Sequence, residues 1–156
     1  MYEKILVPID GSVMATQGLR EAIELAKQLH SRIRLIHVVN ESPWVVPGFP
    51  AAPPVDDLVL ALRGAGESIL ARAKQAVATA GVDVDERLIQ VIGERVGELV
   101  VAEAISWPAD LIVCGTHGRR GVRRMLMGSD AEYIVRLTPV PVLLVRTPEP
   151  AVPAAT

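Results

Sequence analysis

The sequence predicts an α/β fold in which helices cover both faces of an open parallel sheet. Two observations lead there. Apolar runs of strand length alternate five times with helix-forming segments, the order of a doubly wound sheet rather than of hairpins. Half of the 156 residues are hydrophobic but only 3% are aromatic, so the core is built from Val, Ile, Leu and Ala, which suits parallel strands buried on both sides.

The first strand is Lys4-Ile5-Leu6-Val7-Pro8-Ile9, ending in the turn Asp10-Gly11-Ser12, whose serine can cap a helix. In that helix Leu19, Ala22, Ile23, Ala26 and Leu29 recur on one face, and Arg20, Glu21, Glu24, Lys27 and Gln28 take the other. Ile33 to Val39 is the second strand. Asn40 to Pro54 holds five prolines and reads as a loop long enough to be functional or mobile. Val55 to Ala80 is a long helix with Leu58, Leu62, Ala65, Ile69, Ala73, Ala76 and Ala80 inward; Gly64 and Gly66 weaken its first half and Gly81 stops it. Val82 to Val91 is a strand polar enough for a sheet edge. Glu94 to Ser106 is a helix with Val96, Leu99, Val100 and Ala104 inward, ended by Trp107-Pro108. Asp110 to Cys114, Ala131 to Leu137 and Val140 to Arg146 supply a strand, a short helix and a last strand. Residues 1–147 form one domain, and 148–156, with three prolines, read as a disordered tail.

Several classes are disfavoured. The net charge of −2 offers no electrostatic reason to bind nucleic acid. No apolar run reaches the roughly 18–20 residues that span a bilayer, so no membrane partner is expected. A strand follows Met1-Tyr2-Glu3 at once, which leaves no signal peptide, and the one cysteine fits a reducing compartment; a cytoplasmic protein is expected. His30, His37 and His117 are scattered without metal-ligand spacing, so no metal site is expected.

One stretch carries chemistry. Gly115-Thr116-His117-Gly118 follows the fourth strand, and nine residues later Gly128-Ser129 opens a helix. Glycines let backbone approach a ligand, and a helix N-terminus, with Ser129 as its cap, offers free N–H groups to an anion. The spacing matches neither common phosphate loop.

Together Ile5-Leu6-Val7-Pro8-Ile9-Asp10-Gly11-Ser12, Ala109-Asp110-Leu111-Ile112-Val113-Cys114-Gly115-Thr116-His117-Gly118 and Gly128-Ser129 through Pro141-Val142-Leu143-Leu144-Val145-Arg146 resemble the universal stress protein family in its nucleotide-binding branch. The spacing Gly-x2-Gly-x9-Gly-Ser resembles that family's ATP-binding signature. The resemblance covers residues 2–146 and implies a Rossmann-like sheet of five parallel strands in the order 3-2-1-4-5. Strands 1 and 4 then flank the reversal of order, where open parallel sheets hold ligands. The crevice so defined lies between Pro8, Ile9 and Asp10 on one side and Cys114, Gly115 and Gly118 on the other.

The resemblance implies that Gly115 and Gly118 let the chain pass close to ribose and phosphates, that Gly128 and Ser129 hold phosphate oxygens, and that Asp10 lines the base and ribose side. It also implies that Val38 packs on adenine. Each has a plainer reading beside it: turn glycines, a helix cap, an Asp closing its own turn, a core valine. Cys114 equally reads as a small core residue. Asp130 stands where the family more often has a small or apolar residue. It suits a helix N-terminus but repels a triphosphate unless a divalent cation intervenes. Arg119, Arg120, Arg123 and Arg124 lie in the spacer as a solvated cluster or a phosphate grip, with Arg119 favoured. The implied ligand is ATP, alone or with Mg2+, and the implied role a nucleotide-responsive regulator of stress survival that forms a homodimer through Val140 to Arg146. Two alternatives stay open: a slow ATPase, with only Asp10 and Asp130 as candidate acids and no catalytic residue assigned, and a dimeric interaction protein that binds no nucleotide.

Overall fold

In the computed structural model the chain runs β1 (Lys4–Pro8), α1 (Val13–Leu29), β2 (Arg32–Asn40), α2 (Val55–Thr79), β3 (Val84–Val91), α3 (Val96–Ser106), β4 (Leu111–Gly115), α4 (Ser129–Leu137) and β5 (Val142–Val145). The structure describes residues 1–41, 55–116 and 127–146. Most of the Asn40–Pro54 loop, the stretch from His117 to Leu126 and the tail lie outside them. All four strand pairings are parallel, and the order is β3-β2-β1-β4-β5, as the sequence resemblance implied.

Side chains alternate across the strands and sort the core into two layers. Ile5, Val7, Ile33, Leu35, Leu111 and Val113 point to the face covered by α1 and α2. Leu6, Ile36, Ile112 and Cys114 point to the face covered by α3 and α4. The half-exposed β3 takes one edge, as its polarity suggested, and β5 takes the other.

Three inward faces differ from the periodicity. Along α2 the buried stripe is Gly66, Ile69, Leu70, Ala73 and Val77, whereas Ala65 and Ala76 are exposed. Alanine fits either side of a helix, so the larger Leu70 and Val77 decide its rotation. Leu29 is exposed at the end of α1. Most notably, α3 buries the charged Glu103, at 2% exposure. Its carboxylate accepts hydrogen bonds from Arg34 (2.9 Å) and from Arg87, while Arg34 also holds Asp85 through two bonds of 2.6 and 2.8 Å. The Arg34 guanidinium lies 4.6 Å from the Trp107 ring centre. This network ties β2, β3 and α3 together near the N-terminal ends of the strands. There Asp110 also accepts the N–H groups of Glu3 and Lys4, both at 2.9 Å. Among the described residues no helix is long and apolar enough to cross a membrane.

Candidate functional site

Parallel βα units place every helix start at the C-terminal edge of the sheet. β1 delivers its chain to Asp10-Gly11-Ser12, where Gly11 adopts φ 80° and lets the turn reverse sharply. The Asp10 carboxylate accepts the Ser12 N–H at 2.9 Å, and Ser12 Oγ accepts the Ala15 N–H at 3.1 Å, capping α1. Ile9 is held to β2 from both sides of its backbone. Its N–H donates to the Ile36 carbonyl at 2.8 Å, and its carbonyl lies 2.6 Å from His37 Nδ1.

The β1–β4 ladder pairs Ile5 with Leu111 and Leu6 with Ile112. Past these pairs β1 runs on to Pro8, which brings no N–H, and β4 to Gly115. A Cβ on Gly115 would lie 2.8 Å from the Met14 carbonyl oxygen, so the bareness of this glycine serves the seating of α1. Sequence reasoning offered ligand approach or a plain turn for it, and not this packing. Gly18 repeats the device from the helix side, where a Cβ would stand 3.3 Å from the Gly115 nitrogen.

Beyond Gly115 the Thr116 N–H donates to the Val145 carbonyl at 3.1 Å, and the Thr116 carbonyl accepts the Gly128 N–H at 2.8 Å. That second bond sets the start of α4 beside the end of β4. It also corrects one expectation. Gly128 is the helix cap, with extended φ −61° and ψ 149°, and its carbonyl accepts the Glu132 N–H at 2.9 Å. Ser129, expected at the cap, is the first helical residue, exposed at the end where N–H groups lack helical partners.

Asp130 has a structural partner that the sequence did not reveal. Its carboxylate accepts the Gly97 N–H at 3.1 Å. Arg95, at the start of α3, makes no capping bond with its own side chain, so α4 supplies one. A Cβ on Gly97 would approach the Asp130 carbonyl at 3.1 Å and Tyr133 Cβ at 3.0 Å, so the two helix starts fit closely.

The structure therefore brings Pro8, Ile9 and Asp10, Gly115 and Thr116, and Gly128 and Ser129 to one edge of the sheet. Val38 sits there on β2, half-buried on the α3 face, two residues past the Pro8–Ile36 pair. Cys114 is buried on that face, where burial pushes its thiol up to about 11. Gly118 and Arg119, with His117, Arg120, Arg123 and Arg124, lie outside the described residues. His37, which sequence reasoning weighed only as a metal ligand, is buried beside Ile9; a lone histidine near the end of an apolar strand was its only signal. A shallow cleft lined by Arg63, Glu67, Leu70, Glu86, Leu88 and Gln90 lies at the α2–β3 edge and contains none of the expected residues.

Strand order and the two helical layers define an open doubly wound α/β domain. The chain belongs to the universal stress protein family, whose model matches residues 1–146. It is similar to a universal stress protein of Methanocaldococcus jannaschii, 34% identical over 96% of this chain and 85% of that protein. Another from Bacillus subtilis is 32% identical over 94% of this chain and all of its own length. A solved structure of a family protein from Burkholderia pseudomallei is 32% identical, covers 92% of this chain and 96% of its own, and superposes with a TM-score of 0.71. More distant structures that share the fold were solved with nucleotides: one universal stress protein in complex with cAMP, and one from Archaeoglobus fulgidus in complex with dAMP.

Proposed function

We propose that this protein binds an adenine nucleotide, ATP in the first instance, and acts as a nucleotide-responsive regulator of stress survival in the cytoplasm. One observation carries the reading. The bond from Gly128 N–H to the Thr116 carbonyl puts a helix N-terminus beside the end of β4, where the strand order reverses, the place at which open parallel sheets commonly hold ligands. Relatives of the same fold solved with cAMP and dAMP favour adenine over other bases. In this reading Asp10 and Val38 face ribose and base, and Gly118, Gly128 and Ser129 face the phosphates, with Arg119 beside them.

Asp130 keeps its negative charge while its carboxylate accepts the Gly97 N–H, so a divalent cation such as Mg2+ eases its repulsion of the phosphates. The second element of the proposal is a homodimer joined along β5. That strand ends the sheet and leaves Leu143 40% exposed.

Calorimetry tests the nucleotide. ATP, ADP, AMP and cAMP are titrated into the wild type and into a Gly118→Val, Gly128→Val double variant. The double variant is expected to lose at least tenfold in ATP affinity, about 1.4 kcal/mol. Equal affinity in both proteins removes this site.

A further inference from the structure

We infer that His37 is a positioning residue for nucleotide binding: it fixes the peptide plane from which Asp10 enters the crevice. The inference deepens the proposed function and rests on it. His37 is 6% exposed, under α2, with Nδ1 at 2.6 Å from the Ile9 carbonyl oxygen. A carbonyl only accepts, so Nδ1 carries the proton. The Ile9 carbonyl and the Asp10 N–H belong to one planar peptide, and orienting the first orients the second. The other edge of that segment is set by the Ile9 N–H on the Ile36 carbonyl, at 2.8 Å. Asp10 then closes on Ser12, and Ser12 caps α1. A chain of directed bonds thus runs from β2 through the turn to the helix start.

The imidazole is itself clamped. Gly66 of α2 lies over it so closely that a Cβ there would meet His37 Cδ2 at 2.8 Å, Nε2 at 3.1 Å and Val39 Cγ2 at 2.9 Å. A glycine in mid-helix costs about 0.5–1 kcal/mol relative to alanine. Here it makes room for the ring, and so α2 reaches the crevice through His37 without contributing a ligand-facing side chain. A small misplacement of a binding group is costly when the geometry it serves is directional.

The test exploits the two ring nitrogens. Asparagine places an N–H donor close to where histidine has Nδ1; glutamine places one near Nε2; leucine has neither. ATP affinity is measured by calorimetry for wild type, His37→Asn, His37→Gln and His37→Leu. Exchange of the Asp10 and Ser12 amide protons is followed in the same proteins by NMR. Affinity is expected to fall about tenfold in His37→Leu and His37→Gln and to stay within about threefold of wild type in His37→Asn, in keeping with the loss of one buried directional bond. The two amides are expected to exchange faster in the first two variants only.

Gly66→Ala, which displaces the ring while keeping it, is expected to lower affinity in the same direction and serves if His37→Leu fails to fold. If His37→Leu binds like wild type, or if His37→Asn is as weak as His37→Leu, the positioning role is wrong. If wild type binds no adenine nucleotide, the proposed function fails instead. The amide exchange then decides by itself: selective protection in His37→Asn upholds the positioning of the turn, and uniform exchange overturns it.

Discussion

Gly115→Ala separates the packing role of this glycine from any contact with a ligand. Its φ is not in the left-handed region, so alanine is conformationally acceptable and only the new methyl group matters. That methyl would stand 2.8 Å from the Met14 oxygen, 2.9 Å from its carbonyl carbon and 2.9 Å from its Cβ. Carbon contacts are comfortable at about 3.5–4.0 Å, so the first turn of α1 must retreat by more than half an ångström or so. Overpacking of this kind costs about 1–3 kcal/mol. For a chain of this length each kcal/mol lowers Tm by about 2–4 °C, so a drop of roughly 2–12 °C is expected. Gly64→Ala is the internal control. It adds a methyl group with nothing within 4 Å, in a helix, and should stabilise by about 0.5–1 kcal/mol. Urea unfolding of both variants at equal m-value gives the two signs. Gly115→Ala as stable as wild type would refute the packing argument, as would a destabilised Gly64→Ala.

Three further outcomes are expected. The hydrogen bond from Arg34 holds the Asp85 carboxyl below the usual carboxylate range. A carboxyl whose folded pKa is depressed stabilises fully above its unfolded value near 3.8, and that contribution is lost as pH falls through the lower folded value. Urea unfolding at pH 5 and pH 2.5 should show a smaller acid-dependent loss in Asp85→Asn than in wild type; identical losses would dissociate Asp85 from acid sensitivity. Cys114, its thiol pushed up to about 11 by burial, should resist iodoacetamide at pH 8 in the native protein and react once unfolded, which intact-mass measurement reports. Rapid labelling of the native protein contradicts this. Light scattering should give about twice the 16.7 kDa chain mass, and Leu143→Pro should shift it toward monomer or aggregate; a monodisperse wild-type monomer removes the β5 dimer.

Much of the fold was legible because parallel sheets write themselves as apolar runs, and Lys4–Pro8, Arg32–Asn40 and Leu111–Gly115 stand out as such. The turn Asp10-Gly11-Ser12 was legible because cap chemistry is local. What lay beyond reach depends on partners distant in sequence. Glu103 looks like a solvated helix residue until Arg34 and Arg87 arrive from other strands. The bond from the Gly97 N–H to Asp130 joins residues far apart in sequence and shows only once α3 and α4 pack together. Gly66 reads as a defect in α2 and proves to be space for His37. The cap of α4 fell one residue earlier than expected because a backbone bond to Thr116, rather than a serine hydroxyl, fixes it. Alanine-rich α2 hid its own inner face, since small residues do not report burial.

The central claim is that an adenine nucleotide occupies the crevice between the ends of β1 and β4. The most direct measurement is a titration of 15N-labelled protein with ATP, followed through its amide spectrum. Shifts are expected at Ile9 to Ser12, Val38, Gly115, Thr116, Gly128 and Ser129, with Lys4, Asp85 and Trp107 at the opposite edge unmoved. Absence of shifts at saturating ATP, or shifts confined to that opposite edge, would contradict the account.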